Sequence, residues 1–396
     1  MPKFLESIRS VLSKPKSWLV IYGLLGLLSA IHLLITTEFS PKIGWPTHYN
    51  NYLIFKTSFR HLVENKDLYI EHLSDHIDFF KYSPSFAALM LPFAYVPDWI
   101  GLPCWNILNA LVLASALIQL PYIENRLKAP MLALAVIETL TSLQNAQSNA
   151  LIAGLIIWTF ICLERKQIVW AALLVALSIY IKIFGVLGFI LFLFYPNKWK
   201  AAGWSLFWMI LIGIVPMAFV SFQQLVYLYK SWGNLLSWDV NASVGLSVQG
   251  WLITWFGLNA PKNLLLGIGA LVLLLPLINY KQWKSPLFRI LYLSAVLIWM
   301  VIFNHKAESP TFVIAFSGVL IWAFYQKLNL FHKTLFIVCF VLCSLSQTDL
   351  FPFYLKQHFV IPFVLKAVPV IAIFVLVIHQ LLMMKSESGV NSMNKY

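Results

Sequence analysis

Apolar runs of about 17 to 25 residues recur along the whole chain, and short polar intervals separate them. A helix of roughly 20 apolar residues is long enough to cross the hydrocarbon core of a bilayer. The first run covers residues 18–36. It is too long for the apolar part of a cleaved signal peptide, and no small-residue cleavage site follows it. The pattern predicts an all-α polytopic membrane protein, with residues 18–384 as a single transmembrane domain.

Residues 37–82 follow the first span and are predicted to form the first extracytoplasmic loop. Part of this loop has apolar side chains at helical spacing, at Tyr52, Phe55, Phe59, Leu62 and Val63. Lysine, serine, arginine and histidine fill the other faces, so we expect an amphipathic helix of about 14 residues at the membrane interface. The same loop carries four of the fifteen carboxylates in the chain, which are Asp67, Glu71, Asp75 and Asp78.

The segment that follows the loop is interrupted by prolines. Residues 83–97 and 102–121 resemble two crossings, but the basic stretch at 124–128 allows one net crossing if it is cytoplasmic. Either one of the two segments is re-entrant or the 124–128 loop is external. Because Pro84, Pro92 and Pro97 interrupt the first segment, and Pro103 the start of the second, we favour a short, broken first segment.

A second irregular segment lies between residues 167 and 196, where cytoplasmic charges flank about 28 residues. Two full crossings need roughly 40 residues, and one crossing would leave the ends on opposite sides. The interval therefore predicts two shortened helices that meet at a turn near Lys182 and Gly185. An intramembrane lysine normally faces a cavity or a partner, which we favour here; the alternative is a side chain that extends to the headgroups.

Composition and charge agree with a membrane protein. The chain is 60% hydrophobic and 11% charged, whereas soluble domains have about 25% charged residues. Its net charge of +13 is explained by basic cytoplasmic loops rather than by nucleic-acid binding. The same bias places residues 1–17 and the tail at 385–396 in the cytoplasm. The four cysteines lie in apolar runs without metal-ligand spacing, so we expect packing roles.

Five polar elements are predicted to lie on the outer side and to converge there. They are the acidic loop with Asp75 and Asp78; the 144–149 loop with Gln144 and Asn149; the Lys182 turn; the loop with Asp239, Asn241, Ser243 and Gln249; and the turn with His305 and Glu308. A carboxylate can deprotonate an acceptor hydroxyl, and cations can stabilise a departing phosphate. Such a set suits transfer from a phosphate-linked donor. His72, Asp75, His76 and Asp78 also have the spacing of metal ligands, although no second cluster supports zinc.

The order of these motifs resembles the integral-membrane glycosyltransferases of the GT-C class, in particular glycosyltransferase family 87. The similarity covers about residues 45–325. The elements that carry it are Asn51-Tyr52-Leu53-Ile54-Phe55, Asn65 to Tyr69, Tyr82-Ser83-Pro84, Gln144 to Asn149, Lys182 to Gly185, Asn241 to Gly250, and Asn304-His305 to Ser309-Pro310. The resemblance implies a GT-C-like bundle of about 11–13 transmembrane or re-entrant helices, with the amphipathic helix in the first outer loop.

The resemblance also implies an activity. It indicates a hexosyltransferase of the plasma (inner) membrane that moves a sugar from a polyprenyl-phosphate donor to a lipid or cell-envelope glycan on the outer face. The partners would be membrane lipid, the lipid-linked donor and a glycan or glycolipid acceptor, and no nucleic acid. No cofactor is expected, and a need for a divalent metal stays open. The runner-up is a transporter or flippase of lipid-linked sugars, or a catalytically inactive relative.

One position departs from the family. Its catalytic acid in the first loop is an aspartate, and the matching residue here is Asn51, whose amide cannot act as a general base. We expect Asp78, Asp75 or Glu308 to take that role, with Asp78 favoured, unless the protein no longer transfers sugar. The expected substrate contacts are Asn51, Gln144, Asn149, Lys182, Gln249 and His305, among which Lys182 and His305 would hold the phosphate.

Overall fold

A computed structural model describes residues 12–38, 48–238 and 245–384, and these are almost entirely helical. The α-helices in chain order are α1 Ser17–Thr36, α2 Asn50–Val63, α3 Pro84–Leu89, α4 Leu91–Ala94, α5 Asp98–Gln119, α6 Asn125–Leu143, α7 Asn149–Glu164, α8 Ile168–Ile181, α9 Lys198–Ile214, α10 Phe222–Trp238, α11 Val248–Phe256, α12 Lys262–Leu274, α13 Pro286–Ile302, α14 Phe312–Tyr325, α15 Leu330–Cys339, α16 Phe353–Leu355 and α17 Val368–Met383. Shorter 3₁₀ and π-helical segments join or extend several of them, and the described residues include no strand.

The described chain has four helices that are long and apolar enough to cross a membrane: Ser17–Thr36, Asp98–Gln119, Lys198–Ala218 and Leu330–Gln347. Seven apolar helices of 10–17 residues accompany them. α1 packs closely on α5, where an added Cβ at Gly26 would lie 2.7 Å from Ile107 Cα. These helices confirm the prediction of an all-α polytopic membrane protein.

The proline-rich segment after the first loop is short and broken, as predicted. α3 and α4 contain six and four residues, and α5 begins immediately after Pro97. Ser83 caps α3 by accepting a hydrogen bond from the Phe86 N–H, and Pro84 takes the first helical position, where a missing N–H costs least. In this part of the chain, α5 is the helix that is long and apolar enough to cross a membrane.

The segment with Lys182 also has the predicted form. α8 ends at Ile181, Lys182 is extended, and a 3₁₀ helix follows from Ile183 to Phe194. The two short helices pack against each other. A Cβ at Gly185 would lie 2.6 Å from the Ser178 carbonyl carbon, so this close approach requires glycine. The chain therefore reverses direction at Lys182.

α2 has the predicted length of 14 residues, but its polar face is covered by protein. Ser58 and His61 are buried, as are the apolar Phe55 and Phe59. Lys56 Nζ donates to Asp98 Oδ1 at 2.5 Å and to the Val96 carbonyl at 2.8 Å. The helix is thus packed into the bundle, so part of its polar face contacts protein rather than solvent.

Residues near the two ends of the 167–196 interval meet the start of α13 at one end of the bundle. Arg289 at the start of α13 forms a bidentate pair with Glu164 at the end of α7, with N–O distances of 2.6 and 3.0 Å. The Tyr195 hydroxyl donates to the same carboxylate at 2.6 Å. α7 leads away from this cluster to Asn149, roughly 24 Å along the helix axis. The polar groups described next lie at that other end.

Candidate functional site

A chain of hydrogen bonds joins Lys182 to Glu308 through two amides. Lys182 Nζ donates to Asn149 Oδ1 at 2.5 Å, and Asn149 Nδ2 donates to Gln147 Oε1 at 2.5 Å. Gln147 Nε2 then donates to Glu308 Oε2 at 3.1 Å. Asn149 is fully buried, whereas Glu308 is exposed, so this series of hydrogen bonds runs from the interior to the surface. We call these four residues the polar chain.

The turn between α6 and α7 positions the two amides of the polar chain. Ala146 has a left-handed backbone with a φ of 49°, which closes the turn tightly after Leu143. Trp105 Nε1 donates to the Ala146 carbonyl at 3.0 Å and fixes the turn to α5. A non-glycine residue in this conformation costs about 1–3 kcal/mol, and such residues concentrate at functional sites. The next residues, Gln147 and Asn149, reach Glu308 and Lys182.

The start of the 245–256 segment packs on the turn that carries His305 and Glu308. The Leu246 N–H donates to the Ala307 carbonyl at 2.8 Å. An added Cβ at Gly245 would lie 2.2 Å from the His305 carbonyl oxygen, so no larger residue fits there. Gln249 Nε2 donates to the Ala260 carbonyl at 3.3 Å, in the loop that follows α11. Asp239, Asn241 and Ser243 lie outside the described residues.

Asn51 connects the first loop to the 144–149 loop. Asn51 Nδ2 donates to the Asn145 carbonyl at 3.0 Å, and neighbouring Gln144 is exposed. The loop is also joined to the Lys182 segment, because Ser83 Oγ donates to the Tyr180 carbonyl at 2.6 Å. The structure therefore brings four of the predicted elements to one end of the bundle, together with the described part of the fifth.

The two aspartates of the first loop have partners of their own. Asp78 is exposed, has a φ of 75°, and accepts hydrogen bonds from the Phe79 N–H at 2.7 Å and from Lys81 Nζ at 3.1 Å. Asp75 lies 2.8 Å from His61 Nε2. Burial acts to raise the pKa of Asp75, but the His61 hydrogen bond and nearby positive charges outweigh it and hold that pKa below its ordinary value. Neither carboxylate belongs to the polar chain.

Three histidines of the first loop lie close together. The rings of His61 and His72 stack with centroids 3.9 Å apart, and the His76 ring is 6.1 Å from each. Burial lowers the pKa of His61 and lowers that of His76 to about 4, and the neighbouring imidazoles act in the same direction. Among the described residues, no three or more His, Cys, Asp or Glu side chains are grouped so that they could hold a metal ion.

Two buried ionisable residues were missed by sequence reasoning. Lys366 Nζ donates to both carboxylate oxygens of Glu138, at 2.9 and 3.1 Å, and to Ser309 Oγ at 3.0 Å. Each stands within an apolar run, and an intramembrane charge is itself a signal of function. Their pairing joins positions 228 residues apart, which spacing along the chain cannot show.

The arrangement provides the groups needed to handle an anion and a hydroxyl. A lysine ammonium has three donors, so a bond to Asn149 leaves two of them for an anionic ligand. The exposed carboxylate of Glu308 can accept a proton, and side-chain amides can both donate to and accept from sugar hydroxyls. These groups lie on one connected set of side chains.

Comparison with protein families agrees with this chemistry. The model of glycosyltransferase family 87 matches residues 79–304, which is more than half of the chain. The match includes Gln144, Asn149, Lys182 and Gln249, but it begins after Asn51 and ends just before His305. A search among curated proteins gives no match. The family indicates a glycosyltransferase, with sugar donor and acceptor substrates in a membrane. The chain belongs to glycosyltransferase family 87.

Proposed function

We propose that this membrane glycosyltransferase moves a hexose from a polyprenyl-phosphate donor to a lipid or cell-envelope glycan acceptor. The observation that carries the proposal is the polar chain, which joins a cation, two amides and a carboxylate at one end of the bundle. A membrane-embedded site of this kind suits substrates that are themselves held in the bilayer. The reaction would take place at the outer face of the plasma membrane, with the N-terminus in the cytoplasm.

Lys182 is proposed to contact the donor phosphate. Its ammonium lies at the turn between two short helices, where it is partly buried and already oriented by Asn149. A preorganised cation stabilises charge that develops on a leaving phosphate, and the effect is larger where water is excluded. His305, which lies in the same turn as Glu308, is proposed as a second phosphate contact.

Glu308 is the carboxylate that the geometry favours as general base. It accepts from Gln147 and is connected through Asn149 to Lys182, so base and phosphate contact share one set of side chains. Asp78 is instead paired with Lys81 and its own backbone, and Asp75 with His61. Asp78, favoured from the sequence, and Asp75 thus become the second and third candidates.

In the proposed transfer, an acceptor hydroxyl oxygen replaces the phosphate oxygen at the anomeric carbon of the sugar. Glu308 removes the proton of an acceptor hydroxyl, and that oxygen forms a new bond to the anomeric carbon of the sugar. The bond between this carbon and the phosphate oxygen breaks, and its electron pair leaves on the polyprenyl phosphate. Asn51, Gln144 and Gln249 are proposed to contact sugar or acceptor hydroxyls. Asn149 acts chiefly by orienting Lys182, because both ends of its amide are already bonded.

Reconstituted protein tests this function. Purified protein in liposomes is supplied with a polyprenyl-phosphate [¹⁴C]hexose and with extracted envelope lipids as acceptor. We expect a labelled product that resists the mild acid that hydrolyses the donor, which shows a new glycosidic bond. Movement of labelled donor across the bilayer without such a product would contradict the proposal and support the transporter alternative.

A further inference from the structure

The ion pair of Glu138 and Lys366 lies directly behind the turn that carries Glu308. Exposure of the two side chains is 0% and 2%, so the pair has no access to water. Besides both oxygens of Glu138, Lys366 Nζ contacts Ser309 Oγ at 3.0 Å, and Ser309 is the residue after Glu308. Lys366 Nζ also lies 5.1 Å from the centre of the Phe312 ring, at the start of α14. One ammonium group therefore contacts both Ser309 in the turn and the first residue of α14.

Stability alone gives a weak reason for such a pair. Two buried charges contribute little net free energy, and well-packed apolar side chains of similar volume are often as stable or more so. A buried ionisable residue in a membrane domain is therefore expected to have a function. In this protein the pair has a third partner, the Ser309 hydroxyl. An apolar residue in place of Lys366 would leave that hydroxyl without the hydrogen bond that it accepts.

The turn at residues 304–311 depends on such side-chain bonds, because it is mostly irregular. Its own backbone bonds are few: Ala307 N–H to Asn304 O and Thr311 N–H to Glu308 O, both at 3.0 Å. Ser309 Oγ accepts from Lys366 and donates to Gln347 Oε1 at 3.3 Å, which connects the turn to the residues after α15. Because Ser309 directly follows Glu308, these bonds to Ser309 also restrict the backbone position of Glu308.

A local distortion brings another group to the same pair. The segment Phe340–Ser344 is π-helical, and Cys343 Sγ in it lies 3.8 Å from Glu138 Oε1. Single π-helical turns of this kind occur often at functional sites. Glu138 belongs to the part matched by the family, whereas Lys366 and the π-helical segment lie beyond residue 304. The pair thus joins the family region to the C-terminal helices.

We infer that Glu138 and Lys366 are positioning residues, which hold Ser309 so that the Glu308 carboxylate stays within reach of Gln147 and the acceptor. The inference deepens the proposed function and rests on it, since the position of Glu308 matters for catalysis only if this turn takes part in transfer. The pair does not touch substrate. Its effect is carried through the Ser309 hydroxyl.

The test replaces both charges at once, because a single substitution would leave an unpaired buried charge and threaten folding. The double variant E138M/K366M keeps side chains of similar length, and S309A removes only the connecting hydroxyl. The matched control is S294A, since Ser294 is a buried serine whose hydroxyl bonds across helices to Gly318 O at 2.7 Å, away from the turn. Amide hydrogen exchange over residues 303–312 is measured in detergent, together with kcat and KM in the transfer assay.

We expect E138M/K366M to exchange faster over residues 303–312, while α13 and the rest of α14 stay protected. A misplacement of about 1 Å can cost up to about a hundredfold in rate, so kcat should fall about tenfold or more with little change in donor KM. S309A should show the same two effects more weakly, and S294A should show neither. Faster exchange in this turn alone is not expected from a pair that only stabilises the bundle.

A folded double variant with wild-type exchange and wild-type kcat would overturn the inference. If the double variant does not fold, S309A decides, and wild-type values for it are equally contrary. Absence of transfer by the wild-type protein would refute the proposed function, whereas hydrogen exchange would still decide whether the pair holds the turn. The two failures are thus distinguishable.

Discussion

Lys182 Nζ lies 2.5 Å from Asn149 Oδ1, which joins the turn of a broken helix pair to the first residue of α7. The contact orients an ammonium at the end of the bundle that holds the polar chain. It also places Lys182 in the same hydrogen-bonded set as Glu308. A lysine that merely extended to the lipid headgroups would not need an internal partner of this kind.

Replacement of Lys182 should slow the reaction with the polyprenyl-phosphate donor. We expect K182M to lower kcat/KM for the polyprenyl-phosphate sugar by about a hundredfold, as loss of one preorganised electrostatic contact does elsewhere. K182R should retain part of the activity because it keeps the charge. The variants are compared by steady-state transfer after their folding is checked by thermal unfolding. Full activity in K182M would remove the proposed phosphate role.

Gly245 should be intolerant of a side chain. In G245A the new Cβ would meet the His305 carbonyl, so the contact between Leu246 and Ala307 must open. We expect a lower unfolding temperature and transfer reduced by about tenfold or more, because the turn with Glu308 moves. The matched control is G203A, since a Cβ at helical Gly203 meets no atom within 4 Å. Equal behaviour of the two variants would show that the contact is unimportant.

The sequence was sufficient to predict some features and insufficient for others, for physical reasons. The break at Lys182 followed from length, because too few residues separate two cytoplasmic flanks. The burial of α2 could not be predicted, because an amphipathic pattern does not show whether the polar face of a helix contacts water or other parts of the protein. The preference for Asp78 over Glu308 rested on position in the first loop, whereas the connection to Lys182 depends on Gln147 and on a turn 161 residues away.

The histidine cluster should make the protein sensitive to acid. The pKa of His76 lies near 4 in the folded protein and near its ordinary value of 6.5 in the unfolded chain. Between these values the unfolded chain binds more protons, so stability should fall as the pH is lowered from about 6.5 toward 4. Thermal unfolding across this range measures the effect.

The variant H76N gives the control for this pH dependence. It removes the group that titrates with the lowered pKa, so the slope of unfolding temperature against pH should decrease between pH 6.5 and 4. His61 shares the direction of shift and should leave a remaining slope. An unaltered slope in H76N would show that other groups set the acid sensitivity.

The assignment of Glu308 as general base is tested by kcat for sugar transfer by E308Q, D78N and D75N in the reconstituted assay. Glutamine keeps the size of Glu308 and its contact with Gln147 while removing its basicity. General-base catalysis contributes about 10²–10⁴-fold, so E308Q should lose at least about a hundredfold in kcat, whereas D78N and D75N should stay within a few-fold of wild type. Wild-type kcat in E308Q, with a large loss in D78N, would contradict this assignment and return the catalytic role to the first loop.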